Sequence, residues 1–519
     1  MKLNYKRTIL VGFAFFLISA FWQAYDATIP VILTNKFGMS QGWSGVIMAL
    51  DNILAVFMLP LFGALSDKCK AKSGKRTPFI LVGTLVAAIA LLGLAFADNA
   101  QWKNINDIST IDSPYCMENI YDMQKDAKLQ TPEGDLFVLS DKFSKEDFLA
   151  IKSEIKDPET GKMLTNLDYT NYVVPARQAC AEKMTQDNPV PLICFVVLLL
   201  IVLVAMATFR SPAVALMPDV TIKPLRSKGN AVINLMGTAG GILVLVLGIV
   251  FATSAVKNQM MHYFGYYGII AGIMLVALII FLSTVRETAW ARQMQEESVR
   301  LGIEEEVVDN RIKRKLLPAE RRSLLFILAS IALWYMGYNA VTSKYSVYAG
   351  NILNMDYNTT LLLAQAAAIV AYLPAGMVAS KIGRKKTIMA GVVMLTTAFG
   401  AASFLRAGSS VMLMNVLFAL AGIGWATINV NSFPMVVEMC SGGDIGKYTG
   451  FYYTASMSAQ IITPMLSGFL MDLDGVGMTI LFPYAAVFAG LAFVTMLIVK
   501  HGDVKPEGKK GIEVLDIDE

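Results

Sequence analysis

Twelve apolar runs govern what this 519-residue chain can fold into. They fall at about 8–33, 42–65, 78–97, 190–217, 228–254, 264–285, 322–349, 359–380, 387–405, 410–436, 449–471 and 478–499. Each is close to the roughly 20 residues that an α-helix needs to cross the hydrocarbon core of a bilayer. In lipid a backbone satisfies its own polar groups only as a helix or a closed barrel. Runs of this length predict helices, so the sequence reads as an all-α polytopic membrane protein. Its composition agrees: 55% of residues are hydrophobic and 16% charged, against roughly 45–50% and 25% in soluble domains.

Between the second and third runs lies a basic hinge, Gly63 to Ile80. It holds Asp67 and five cations, Lys68, Lys70, Lys72, Lys75 and Arg76. Such a cluster cannot sit in hydrocarbon and marks a membrane surface. A shorter version, from Gly376 through Gly383 and Arg384 to Lys386, recurs between the eighth and ninth runs. Two basic hinges imply two related halves of six spans each: residues 1–285 and 322–499, with a connector at 286–321 and a tail at 500–519.

Lys and Arg in short connections set orientation. The connections after the second, fourth, eighth and tenth spans hold Lys68 to Arg76, Lys223/Arg226/Lys228, Lys381 to Lys386 and Lys447, while the opposite connections hold few cations. Both termini, the connector and the tail are therefore expected in the cytoplasm of a cell whose plasma membrane the chain spans. The Met1 end runs straight into a span too long for a signal peptide, so that segment is expected to stay. Residues 98–189 interrupt the pattern with 17 acids and 10 bases, a net of −7, and are expected to form a small extracellular subdomain. Cys116 and Cys180, its only cysteines, are either two free thiols or a disulfide. The connector reads as a charged surface helix from Ala289, and Glu513 to Glu519 as a disordered acidic end.

Acids inside spans cost several kcal/mol unless they meet a partner or a polar cavity. Asp26 in the first span and Asp51 in the second fall at similar depth. They are candidate proton-coupling sites, with structural acids near the rim as the alternative. The seventh span is polar and aromatic: Trp334, Tyr338, Thr342 and Tyr345 recur at i, i+4, i+8 and i+11. Trp425, Asn429 and Asn431 mark the tenth. Aromatic faces beside amides suit sugars, so Gln23, Trp334, Tyr338, Asn339, Trp425, Asn429 and Asn431 are candidate substrate-binding residues. Gln365 and Gln460 are weaker ones, and the amides equally suit helix–helix hydrogen bonds. Tyr345 and Tyr348 fit an interfacial belt. Arg210 and Asp219, around a proline-bracketed stretch in the fourth span, suggest an ion pair at the cytoplasmic mouth, with Glu438 similarly placed. Gly237 to Gly241 suits close helix packing. Two histidines, no paired Cys/His spacing and no phosphate-binding loop exclude a metal centre or a built-in ATPase. No basic face on a soluble module points to nucleic acid.

The pattern Gly63, Ser66-Asp67, Gly74-Lys75-Arg76 and its second copy at Gly376, Gly383-Arg384 resemble the hinge motif of the major facilitator superfamily. The longer wording, from Ser66-Asp67 through Cys69 to Pro78-Phe79-Ile80, is similar to sucrose–proton symporters and the related glycoside–pentoside–hexuronide cation symporters. The resemblance implies two six-helix halves rocking about a central sugar site, with Gly63, Asp67, Lys75, Arg76, Arg210, Asp219, Gly383 and Arg384 in gating. Melibiose-type members carry paired acids where this chain has Ala55 and Leu59, so the resemblance favours protons over sodium. The expectation is a monomeric, non-enzymatic, proton-coupled symporter of a glycoside or disaccharide. It would need no cofactor beyond the proton gradient, and its partners would be a small-molecule sugar and the lipid bilayer. A proton-driven exporter and a non-transporting sensor that uses the insert are the rivals.

Overall fold

The computed structural model describes residues 3–156, 161, 163–222, 225–301, 317–437, 439 and 445–501. Among these, twelve long helices match the twelve apolar runs. The N-terminal half holds α1 (Tyr5–Asn35), α2 (Gln41–Asp67), α3 (Thr77–Asn104), α9 (Val190–Asp219), α10 (Arg226–Val250) and α11 (Phe264–Thr284). The C-terminal half holds α13 (Pro318–Tyr348), α14 (Tyr357–Ile382), α15 (Arg384–Ala402), α16 (Val411–Val437), α17 (Ile445–Met471) and α18 (Leu481–Ile498). Nine of the twelve are long and apolar enough to cross a membrane on length and composition alone. Their outward surfaces stay apolar: Phe57, Ile89, Val250 and Val370 are 69–74% exposed, which suits lipid and not water.

Each half builds its own core. One runs through Phe21, Leu91, Phe195, Met206, Tyr267 and Phe281, the other through Trp334, Tyr345, Leu395, Phe418 and Phe482. Ala27 and Val31 belong to α1 but pack in the second core, so the first helix bridges the halves. Small residues bring backbones together, as lipid-embedded helices require. A Cβ on Gly237 would lie 2.9 Å from Ser19 Oγ, and one on Gly45 would strike the Pro464 carbonyl.

Between α3 and α9 the insert folds on a third core, around Ile108, Ile120, Leu139, Phe148, Tyr169 and Cys180. Short helices α4 (Asn106–Ser109), α5 (Pro114–Gln124), α6 (Leu139–Lys142), α7 (Lys145–Ala150) and α8 (Val174–Asp187) surround two hairpins. These are β1 (Lys128–Gln130) with β2 (Leu136–Val138), and β3 (Glu154–Lys156) with β4 (Met163–Thr165). Cys116 and Cys180 are free and buried, so the disulfide alternative fails. Their sulfurs serve separate neighbours, the Asn106 carbonyl 3.9 Å from Cys116 and Gln124 beside Cys180. Burial pushes the Cys180 thiol up to about 11. The connector begins as helix α12 (Glu287–Arg300). Its continuation at 302–316, Glu438 and the tail beyond 501 lie outside the described residues.

Candidate functional site

The helices alternate in direction, so one face of the bundle carries the basic hinges and the other carries the insert. At the hinge face, Arg76 is buried and organises the N-terminal half alone. Its guanidinium reaches Asp67 at 2.6 Å and Asp219 at 2.8 Å, and also donates to Ser66 Oγ. Glu287, at the start of α12 and 3% exposed, accepts from the Arg76 and Thr77 amides at 2.8–3.1 Å and from Thr77 Oγ1 at 2.7 Å. Its carboxylate thereby caps the N-terminus of α3, where unpaired amides favour an anion. Gly74, at φ +125°, passes so close that a Cβ would collide with Glu287. Gly63 admits α9, with Ser211 Oγ 2.9 Å from where its Cβ would be. Lys75 points into solvent. In the second hinge Gly383, at φ +94°, ends α14 and starts α15, Arg384 is buried, and Lys385 Nζ donates to the Val499 carbonyl at 2.6 Å. Asp67, Arg76 and Asp219 therefore come together as a hinge network.

Arg210 does not join it. The guanidinium lies 5.5 Å from the Trp22 ring centroid and close enough to Asp51 to feel its charge. The expected Arg210–Asp219 pair is corrected by helical geometry. Nine residues are two and a half turns, which put the two side chains on opposite sides of α9. Arg210 instead belongs to a polar zone between the halves. On the N-terminal side this zone holds Trp22, Gln23, Asp26, Asp51 and Arg210, all half-buried. Asp26 and Asp51 lie within electrostatic reach of each other, and Asn52 Nδ2 donates to Asp51 at 2.7 Å. Across from them, Tyr338 stacks on Trp425 with centroids 3.7 Å apart and planes 4° from parallel, and Tyr335 meets the same indole edge-on at 5.1 Å. Asn429 bonds Tyr372, and Tyr338 lies within reach of the Asp26 charge. Gln365 donates to Gln23 across the boundary. The half-buried Asn339 turns a buried, unpartnered Nδ2 toward its surroundings.

Two expected members lie elsewhere. Trp334 is 1% exposed and sits on the buried stripe of α13 with Ile331, Gly337, Val341 and Tyr345. That stripe faces α18, where a Cβ on Gly337 would lie 2.7 Å from the Ala485 carbonyl. Tyr335, one residue and 100° further round, takes the place expected for Trp334. Asn431 is 1% exposed and donates to the Thr427 carbonyl of its own helix at 2.9 Å. Tyr345 and Tyr348, expected at an interface, are buried against Phe418 and Phe482.

The insert face carries further bonds between the halves. Asp472 accepts from the Gln41 and Gly42 amides at 2.8 and 2.7 Å, capping α2 from the opposite half. Buried Lys344 donates to the Gln41 carbonyl at 2.5 Å. Ser254 donates to Asp356 at 2.7 Å, Thr253 meets the Tyr357 hydroxyl at 2.8 Å, and Asn358 donates to Thr253 at 3.0 Å. Sequence reasoning missed Glu287, Lys344, Asp472, Tyr335 and Tyr372. A lysine in mid-run, Lys344, was the one visible signal.

A profile of the Major Facilitator Superfamily matches residues 5–107 and 357–514, together half of the chain. Curated relatives match over short stretches. The sucrose transport protein SUC4 of Arabidopsis thaliana is 31% identical over 82 residues, 16% of each chain. The sucrose transport protein SUC3 of the same plant is 38% identical over 77 residues, 15% of this chain and 13% of its own. The proton-associated sugar transporter A of Mus musculus is 34% identical over 79 residues, 14% and 10%. These matches thus span a sixth or less of those relatives' own lengths. Among solved structures, the inward-open xylose transporter XylE from E. coli covers 99% of both chains with a TM-score of 0.59 at 14% identity. A D-xylose–proton symporter covers 98% of this chain and 100% of its own with a TM-score of 0.56, also at 14% identity. The twelve-helix architecture, the paired basic hinges and the profile match converge: the chain belongs to the major facilitator superfamily.

Proposed function

We propose that the chain is a secondary active transporter that carries a glycoside or disaccharide together with a proton, by alternating access. The observation that carries this reading is the polar zone shared by the halves, acids and Arg210 on one wall and an aromatic platform on the other. Tyr338 and Trp425 offer a flat apolar surface to the C–H face of a sugar ring. Gln23, Asn339 and Asn429 offer donors and acceptors to its hydroxyls. Asp26 and Asp51 are the acids placed to take and release a proton, and Arg210 is the cation near enough to answer the charge change at Asp51. Rocking of the halves about this zone would expose it to each side in turn. The names of the sucrose and proton-associated sugar relatives support the substrate class and the coupling ion. In this reading the protein works as a monomer in the plasma membrane, hinges and termini in the cytoplasm and insert outside.

The test is a sugar screen in proteoliposomes, with uptake driven by an imposed pH gradient or by a sodium gradient. Uptake of at least one glycoside or disaccharide that responds to the pH gradient is expected. Asp51→Asn is expected to abolish that response while leaving exchange of labelled sugar across the membrane. Uptake that answers only to sodium would overturn the proton assignment.

A further inference from the structure

The insert belongs to the N-terminal half in sequence and is fastened to it. Gln178 donates to Asn35 and Gln101 to Thr185, each at 2.8 Å, and Lys257 pairs with Glu154 at 3.4 Å. Yet one hairpin reaches across to the other half. At the turn between β1 and β2, the Pro132 carbonyl accepts from the Met478 amide at 2.8 Å and the Gly134 carbonyl from the Gly475 amide at 3.0 Å. Gln130 Nε2 donates to the Leu473 carbonyl at 2.9 Å, and Glu133 faces Arg406 at 3.7 Å. The approach is backbone against backbone. Gly134 and Gly477 have φ of +105° and +62°, and a Cβ on Gly134 would come within 2.8 Å of Val476 C. Glycine at both positions is therefore required by conformation and by room at once.

We infer that the β1–β2 hairpin is a latch between the halves at the insert face, engaged in this conformation and released when that face opens. The hairpin moves with α1, α3 and α8, while the segment it grips joins α17 to α18. Any rocking that parts the halves at the insert face must break the two backbone bonds, the Gln130 bond and the Glu133–Arg406 pair. The latch thus sets how often the central zone is reached from that side. This inference rests on the proposed alternation of access, but its test needs no transport.

Val31 is buried where α1 meets the C-terminal core, so Val31→Cys reports opening of the insert face. The exposed Cys194 is first replaced by serine. A membrane-impermeant maleimide is added on whichever side labels Tyr115→Cys, an exposed position of the insert, which also fixes the insert's orientation independently. Gly134→Val is expected to speed labelling of Val31→Cys roughly tenfold, as the loss of one or two hydrogen bonds would, and Glu133→Lys roughly threefold, as the loss of a partly exposed ion pair would. Pairing Glu133→Lys with Arg406→Glu should restore the parent rate. Unchanged labelling in both single variants would overturn the latch. So would acceleration by Glu133→Lys that the charge swap fails to reverse, since that marks damage to the insert itself.

Discussion

The two faces of the bundle place charge differently, although the insert face also holds one buried pair within the N-terminal half, Lys36 with Asp98 at 2.6 Å. At the hinge face, Arg76, Asp67, Asp219 and Glu287 all belong to the N-terminal half or to the connector helix attached to it. At the insert face, Asp472, Lys344 and Asp356 each bond a residue of the other half. A charge network inside one half travels with it as a rigid body. Bonds between halves would have to be made and broken in the proposed alternation of access. Both faces cap a helix N-terminus with a carboxylate, Glu287 on α3 and Asp472 on α2, so one device ties a half to itself in one place and joins the two halves in the other. The difference lies in burial and number: Glu287 is nearly inaccessible and accepts from three groups, whereas half-buried Asp472 accepts from two amides.

That contrast breaks first at Glu287. Glu287→Ala would leave the Arg76 and Thr77 donors unpaired in a buried site, a loss of about 3 kcal/mol or more. A marked fall in melting temperature in detergent is expected, with no gain in labelling of Val31→Cys from the insert side. A stable variant that opened the insert face would mean the hinge network is not internal to one half. Asp472→Ala should do the reverse. Removing a charged cap worth about 2 kcal/mol is expected to speed Val31→Cys labelling roughly thirtyfold while moving the melting temperature little. Lys344→Met sharpens the same comparison. Among the described residues its one hydrogen bond goes to a carbonyl, with the Asp472 charge also within reach, and an apolar side chain of similar length avoids the cost of burying an ammonium. Labelling within about threefold of the parent is expected; a change as large as that of Asp472→Ala would make Lys344 a full partner in closure.

The parts of this arrangement legible in the sequence were those fixed by the bilayer. Twelve apolar runs gave twelve helices, because runs of about 20 residues are the length at which a helix satisfies its own backbone across lipid, the hinge wording brought Asp67 and Arg76 into play, and the proline-bracketed stretch of the fourth span brought Asp219. What escaped depended on rotation about helix axes and on long-range packing. Trp334 and Tyr335 are adjacent in sequence, and only the docking of Gly337 on α18 decides which of them turns away from Trp425. Arg210 lies toward the inner end of its apolar run beside Asp219, and nothing in a single sequence shows that its long side chain reaches the Trp22 ring instead. Glu287 was hidden in a stretch that reads as a solvated surface helix. The insert's strands, three residues each, carry too little alternation to be read at all, and the grip of its hairpin on residues 473–478 is a contact between segments about 340 residues apart.

The smallest effect is expected at Asp67, the residue most conspicuous in the sequence. Its carboxylate is 63% exposed, and Arg76 keeps Asp219 and Ser66 without it. An exposed ion pair contributes under about 1 kcal/mol, so Asp67→Asn should lower the melting temperature far less than Glu287→Ala does. Charge reversal is a different matter, because Asp67→Lys places a cation against the Arg76 guanidinium. Since neither residue lies in the central zone, Asp67→Lys is expected to slow turnover of a transported sugar while leaving its half-saturating concentration within about twofold. Weakened half-saturation at normal turnover would tie the hinge to substrate binding and erase the distinction between a face that holds one half together and a face that joins two.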